Sequence, residues 1–463
     1  MIRLYDSARG AVVPLVLRDE GAVSIYLCGP TVYDLPHLGH GRHALVWDTL
    51  RRWLAFTGVA VHFVSNVTDI DDKIIARADA EHVGEDEITA TYEAAWWDAM
   101  DALGVARPDD VPHATAYVDQ MIAVIEQLLA LDVAYECEDG IYFDVGRVAD
   151  YGLLAGQPLD TLRAGARVES NPDKRSPLDF VLWKNAKFAE PSWSAPFGSG
   201  RPGWHTECVV MSLGLLGDDF DLHCGGLDLK FPHHENERAQ AEALGRPFAR
   251  HWAHHGWVMV GEEKMSKSLH NFTSLTDLLA QTDARAYRLL VLRSHYRSPI
   301  EVSPATIADA ERGLARLDGL ARRFALDSLA GERLEVASDY DWPDDARALY
   351  ESVASSMEDD LDTPGALATL FEAATRANSL ADDGETARAE ALARALNVCF
   401  GGLGLRLVAS GADLDAETAR LIARRDQARA ERAWAVADRY RDDLVARGWV
   451  VEDGPDGTVV RRP

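Results

Sequence analysis

The chain has 463 residues, 47% of them hydrophobic, and a formal net charge of −28. That length exceeds one compact core and predicts about two to four domains, while no apolar run approaches the roughly 20 residues of a membrane-spanning helix. The acidic balance repels nucleic acid on average, so an RNA partner would need a local basic stripe.

In chain order, Met1–Ile2–Arg3–Leu4–Tyr5–Asp6 carries no signal-peptide pattern, which predicts a cytoplasmic protein without a membrane partner. Val23, Ile25, Tyr26 and Leu27 read as a buried strand that breaks at Cys28–Gly29–Pro30. A helical pattern after Pro36 runs through Ala44, Leu45, Trp47, Leu50 and Leu54. A second strand, Val61–His62–Phe63–Val64, ends at Asn66–Val67–Thr68–Asp69, and another helix begins near Asp72. This β–α–β–α alternation predicts an α/β fold with a doubly wound, Rossmann-type parallel sheet, whose ligands sit at the carboxyl ends of strands. Residues 112–202 differ: a helix from Ala116 to Leu131, one short β-like segment (Gly140–Asp144), then a stretch dense in Pro, Gly and Ser. They read as an insertion, after which the Rossmann-type pattern resumes near Trp204 and continues to about 260.

From about 304, Leu314, Leu317, Leu320 and Phe324 fall at helix spacing. Helices continue to about 405, interrupted at Asp362–Thr363–Pro364–Gly365. The tail predicts two charged helices (about 416–430 and 433–447) and a hairpin, Trp449–Val451 with Thr458–Val460. The expected domains are 1–303 (with the insertion at 112–202 and a distinct region at 250–303), a helical bundle at 304–405, and a small α+β domain at 406–463. Arg420, Arg424, Arg425, Arg429 and Arg432 give the acidic chain a local basic stripe in that tail.

His37 and His40 are three residues apart and share a helix face; at a first turn they and the free backbone N–H groups point at an anion. Gly39 removes a side chain where a flat adenine would approach. Gly225–Gly226–Leu227–Asp228 is a Gly-rich turn whose carboxylate suits a ribose hydroxyl. Lys264–Met265–Ser266–Lys267–Ser268 carries paired ammonium groups suited to neutralising charge on a reacting triphosphate. With five widely spaced cysteines (Cys28, Cys137, Cys208, Cys224, Cys399) a disulfide framework is not expected. His233 and Glu237, four apart, share a face and can clamp an ion, with Cys28 and Cys208 completing the set. Spacing alone leaves another reading, an ordinary helix-face hydrogen bond with the cysteines as small buried hydrophobes. It also leaves His234, Glu235 and Cys224 as conceivable ligands.

His37–Leu38–Gly39–His40 and Lys264–Met265–Ser266–Lys267–Ser268 resemble, in order, the HIGH and KMSKS signatures of class I aminoacyl-tRNA synthetases. The segments Cys28–Asp34, Asn66–Lys73, Pro202–Cys208, Phe231–Glu237 and Asp360–Pro364, with Trp434–Asp438 in the tail, resemble the cysteinyl-tRNA synthetase family. The resemblance implies ATP-dependent activation of L-cysteine to cysteinyl adenylate and its transfer to the 3′ end of tRNA-Cys. It implies His37, His40, Lys264 and Lys267 at the reacting phosphate, and Gly39, Gly226 and Asp228 beside the nucleotide. It further implies Gly29, Thr31, Thr68 and Trp204 around the amino acid, one Zn²⁺ held by Cys28, Cys208, His233 and Glu237, and Mg²⁺ with ATP. A monomer is expected, with the tail reading the anticodon. The nearest alternative is the related cysteine ligase of mycothiol biosynthesis, which lacks the second Glu of His-His-Glu-Asn-Glu and a full anticodon domain; Glu237 and the tail argue against it. A non-catalytic zinc-containing tRNA-binding protein is opposed by the intact His37, His40, Lys264 and Lys267. Cys224, His43 and His270 depart from residues common in the family.

Overall fold

The computed structural model describes residues 2–156, 173–188, 190–260, 274–326, 337, 340, 342–409, 416–454 and 457–461. A hairpin, β1 (Arg3–Asp6) and β2 (Ala11–Pro14), precedes the central strand β3 (Ala22–Leu27). Helix α1 (Leu38–Phe56) leads to β4 (Ala60–Ser65), which pairs with β3 in parallel, Ala22 opposite Ala60 through Leu27 opposite Ser65. Helices α2 (Asp72–Glu81) and α3 (Glu85–Ala102) follow; Asp71 caps α2 by accepting from the Lys73 amide, and α3 opens on Glu85, Asp86 and Glu87, favourable charges for a helix N-terminus.

The next unit holds α4 (Val118–Ala130) and an antiparallel sheet of β5 (Ala134–Cys137), β6 (Gly140–Phe143), β7 (Phe180–Asn185) and β8 (Gly200–Pro202). The sequence predicts a helix over Ala116–Leu131, which α4 matches, then one β-like segment and otherwise loop. Its strands are short and separated by Pro- and Gly-rich chain, so little periodicity is visible, although Phe143, Leu182 and Trp183 are fully buried between sheet and helix. Then come α5 (Trp204–Leu216), β9 (Leu222–Gly226), α6 (Glu235–Ala243), β10 (His251–His255) and β11 (Val258–Val260).

The main sheet has the order β10-β9-β3-β4, all parallel. Every residue of β9 and β10 is buried, as is expected for parallel strands covered on both faces. Register sets Tyr26 beside His223 and Leu27 beside Cys224, so Cys28, Asn66, Gly226 and His255 emerge at one edge.

Helices α7 (Leu275–Gln281) and α8 (Ala284–Leu292) lead to β12 (Ile300–Val302), parallel to β11. Four helices follow: α9 (Pro304–Arg323), α10 (Asp344–Glu358), α11 (Thr363–Asp382) and α12 (Thr386–Gly402). The predicted break lies between α10 and α11, where the Asp362 carboxylate caps α11 by accepting from the Gly365 amide at 3.1 Å. One apolar core runs from α1 (Trp47, Leu50, Trp53) through α8 into α9–α12. The tail, α13 (Ala416–Ala430), α14 (Trp434–Ala446) and the hairpin β13 (Val450–Gly454) with β14 (Gly457–Arg461), has its own small core of Leu421, Leu444, Trp449 and Val460. Arg425 corrects one expectation. It is 5% exposed and donates to the Thr458 hydroxyl, so it pins the hairpin to α13 and is not part of an outward basic stripe. No described helix is long and apolar enough to cross a membrane.

Candidate active site and metal centre

The site is built at the carboxyl edge of the main sheet. Cys28 follows β3, Cys208 lies one turn into α5, and His233 and Glu237 stand four apart where the chain enters α6. All four are buried, and one ligand atom from each falls within 4.8 Å of the others. Cys28 Sγ is 3.7 Å from Cys208 Sγ and 3.6 Å from Glu237 Oε1. His233 Nε2 lies 3.0 Å from Glu237 Oε1, yet it makes no hydrogen bond. Two groups that could share an ion, aimed at a common point and not at each other, have this geometry. Burial pushes the Cys28 thiol well above its ordinary range, and its contact with Cys208 and the nearby Glu237 charge add to that. Two thiols and a carboxylate packed this closely suit a cation that would deprotonate the thiols. The donor set, two sulfurs, one imidazole and one carboxylate, is suited to a borderline-soft divalent ion.

A second foursome, Cys28, His223, His234 and Glu237, meets the same distance condition. Its histidines already pair within the set: His223 Nε2 is 2.7 Å from Glu237 Oε2 and His234 Nε2 is 3.3 Å from Cys28 Sγ, while His234 Nδ1 is 3.0 Å from His254 Nε2. The other conceivable ligands point elsewhere. Glu235 pairs with Arg238 and accepts from the Leu154 amide, while Cys224 is buried in the main apolar core.

Around this cluster the remaining site residues take defined places. Trp204, 36% exposed, stacks on His233 with ring centroids 4.0 Å apart. His205 Nδ1 is 2.9 Å from His233 Nδ1, which leaves Nε2 turned to the cluster. The Gly29 amide donates to Asn66 Oδ1 at 2.9 Å, and a side chain at 29 would meet the Asn66 carbonyl at 1.7 Å, so only glycine fits. Thr31 and Thr68 pair across the ends of β3 and β4, and the Thr68 hydroxyl donates to the buried Glu207 at 2.8 Å. His43 bridges the Cys28 carbonyl and His255, at 3.0 Å from each. Sequence reasoning did not single out His205, His223, Glu207 or the role of His43. His205 and Glu207 sit inside the Pro202–Cys208 segment, which was their one available signal.

His37 and His40 form the first turn of α1. Each imidazole accepts from the other's backbone amide at 3.2 Å, and the rings stack with centroids 3.6 Å apart. This reciprocal cap leaves both side chains at the positive end of the helix, where an anion is favoured. A Cβ on Gly39 would press on the His37 ring at 2.9 Å, and a Cβ on Gly226 would press on Asp228 at 2.3 Å and His255 at 3.3 Å. The Asp228 charge acts on His37, which places the Gly226–Asp228 turn beside this helix end. Lys264, Lys267 and His270 lie outside the described residues.

Burial pushes the His40 imidazole down to about 3, and the charges of His37, His43 and Lys73 act in the same direction. The folded chain therefore holds His40 neutral, while the unfolded chain protonates it near the ordinary value of about 6.5. The unfolded state binds more protons below that pH, so stability should be lost as pH falls from about 6.5 toward about 3. Urea midpoints should thus be lower at about pH 5 than at about pH 7, where most carboxylates stay ionised in both states. Equal midpoints would count against a neutral, buried His40.

Three family descriptions match the chain: "tRNA synthetases class I (C) catalytic domain" over residues 14–312, "DALR domain" over 352–408, and "Cysteinyl-tRNA ligase anticodon binding domain" over 411–461. The chain is 46% identical to a cysteine–tRNA ligase of Alkalilimnicola ehrlichii, over 96% of each protein. It is 43% identical to one of Chromobacterium violaceum over 100% of each. Among solved structures it is similar in fold to Mycobacterium tuberculosis methionyl-tRNA synthetase in complex with methionyl-adenylate, with a TM-score of 0.60, 15% identity, and coverage of 83% of this chain and 90% of that one.

Proposed function

The chain belongs to the cysteine–tRNA ligase family of class I synthetases, and we propose on that premise how its residues divide the work. The activity is the ATP-dependent charging of tRNA-Cys with cysteine. One Zn²⁺ is held by Cys28, Cys208, His233 and Glu237. The observation that carries this assignment is the buried quartet within 4.8 Å, with His233 Nε2 close to Glu237 but not hydrogen-bonded to it. When bound, zinc supplies a borderline-soft Lewis acid that favours a substrate thiolate over a serine hydroxyl, a discrimination that shape alone achieves poorly.

The chain's own residues do the rest. Trp204 covers His233 and walls the amino-acid pocket, and His205 holds the His233 ring in its orientation. Gly29, Thr31 and Thr68 present backbone and hydroxyl groups to the ammonium and carboxylate of cysteine. Gly39, Gly226 and Asp228 accommodate adenosine, and Mg²⁺ enters with ATP. His37 and His40 face the reacting phosphate from the end of α1, while Lys264 and Lys267 neutralise the triphosphate. The cysteine carboxylate attacks the α-phosphorus, pyrophosphate leaves, and the acyl group passes to the tRNA 3′ end. The working form is a cytoplasmic monomer with catalytic (1–303), helical (304–405) and anticodon-reading (406–463) domains.

Deleting residues 410–463 tests the division of labour and leaves Leu405 and Leu407 in the main core. The tail beyond them has its own apolar core, so the remainder should fold. Cysteine-dependent pyrophosphate exchange should stay within about two-fold of the full chain, while the tRNA concentration needed for charging should rise by about 10²-fold, as lost phosphate and base contacts imply. Equal charging by both proteins would reject the tail as an anticodon reader. Replacing tRNA with an aminosugar acceptor in the same assay should give no product; acylation of the sugar would favour the mycothiol-type reading.

A further inference from the structure

Arg42 lies on α1 two residues beyond His40 and is 0% exposed. Its guanidinium donates to three backbone carbonyls, those of Trp257 (2.6 Å), Tyr296 (2.8 Å) and Ser298. Among the described residues no carboxylate pairs with it. A buried cation without a counter-charge is expensive, and an apolar side chain would fill the same volume without that cost. The benefit must lie in what the guanidinium holds.

It holds two turns together. Trp257 belongs to the turn between β10 and β11, and Tyr296 and Ser298 belong to the turn between α8 and β12. The Gly256 amide donates to the Tyr296 carbonyl at 2.8 Å, and the Ile300 amide donates to the Trp257 carbonyl at 2.9 Å. A Cβ on Gly256 would fall 2.5 Å from the Arg297 carbonyl and 2.6 Å from that of Ser298, so the two backbones touch. From the opposite side Asp360, in the break between α10 and α11, grips the same 296–297 turn. Its carboxylate accepts from the Tyr296 hydroxyl (2.9 Å) and Arg297 Nε (2.8 Å), and from the Tyr5 amide (2.7 Å). Strand β11 then ends at Val260, four residues before Lys264 in the sequence.

We propose that Arg42 is a positioning residue for the activation step: from the helix that carries His37 and His40, it fixes the start of the strand that leads to Lys264 and Lys267, and Asp360 steadies the far side of the same turn. The inference rests on the reading that these histidines and lysines act together on ATP. Misplacing such groups by about 1 Å costs roughly 10²-fold in rate. It also predicts a step-specific defect. Pyrophosphate has left before acyl transfer, so transfer has no triphosphate for the lysines to neutralise.

Arg42→Lys keeps the charge but cannot reach three carbonyls in one plane. In the full-length enzyme its kcat for cysteine-dependent pyrophosphate exchange should fall by about 10-fold or more, with KM for cysteine and bound zinc unchanged. Single-turnover transfer from preformed cysteinyl adenylate to tRNA should change by less than about two-fold. Asp360→Asn keeps an acceptor for the Tyr5 amide and weakens the grip on Arg297, so it should give a smaller defect of the same kind. It decides the matter if Arg42→Lys does not fold. Equal losses in both steps, or no loss in either, would overturn the proposal. His40→Asn and Lys267→Ala serve as controls: if neither slows activation, it is the underlying reading of the phosphate site that fails.

Discussion

Cysteine-dependent pyrophosphate exchange should fall by at least about 10²-fold on Cys208→Ser, since even residues that merely support metal ligands cost 10–100-fold when changed. Affinity for ATP should change little. Cys208 sits 3.7 Å from Cys28 in the proposed zinc quartet, whereas the groups proposed to hold the nucleotide lie at the start of α1 and after β9. Serine is smaller and harder and is not deprotonated by the ion as a thiol is. Bound zinc, measured on the purified protein, should drop with activity. His233→Ala should do the same, whereas His223→Ala should weaken zinc binding less, because His223 Nε2 lies 2.7 Å from Glu237 Oε2 and supports a ligand in the proposed arrangement. Zinc lost from His223→Ala but kept by His233→Ala would move the site to the second foursome.

The second large effect is expected at the phosphate end. His40→Asn retains a side-chain acceptor for the His37 amide, so the cap on α1 can persist while the imidazole is lost. The rate of adenylate formation should fall by about 10²-fold, the scale seen when one preorganised donor is removed from a developing anion. KM for cysteine should stay within about two-fold, because this group acts where transition-state charge grows and not on the bound amino acid. Lys267→Ala should show the same pattern. Single-turnover rates that barely change in both variants would remove these residues from the reaction. A rise in KM for ATP at constant kcat would assign them to ground-state binding.

The tail shows where sequence reasoning met its limit. Arg424, Arg425, Arg429 and Arg432 looked like one basic stripe, yet Arg425 lies under the closing hairpin against Thr458, whose hydroxyl and amide also donate to Asp426. Nothing in a helical spacing of arginines tells which one a strand 33 residues later will cover. The antiparallel sheet of β5–β8 was missed for a related reason. Its strands find their periodicity only once paired, and Trp183 and Phe143 are buried by partners distant in sequence.

By itself the sequence determined the Rossmann-type alternation, the helical region after about 304, the start of α1 after Pro36 and the His233–Glu237 pair. Each of these is local, carried by period, capping residues or an i, i+4 relation that helix geometry enforces. Segment resemblance extended that reading to the family and to Cys28 and Cys208, which local pattern could not join. Tertiary structure alone decided that Cys28 and Cys208, 180 residues apart, come within 3.7 Å. It decided too that His205 stands against His233 and His223 against Glu237, and that Arg42 spans carbonyls more than 200 residues away. The physical reason is the parallel sheet. Its neighbouring strands are joined through long crossovers, so the residues that meet at its carboxyl edge are set by strand order and register and leave no spacing in the chain.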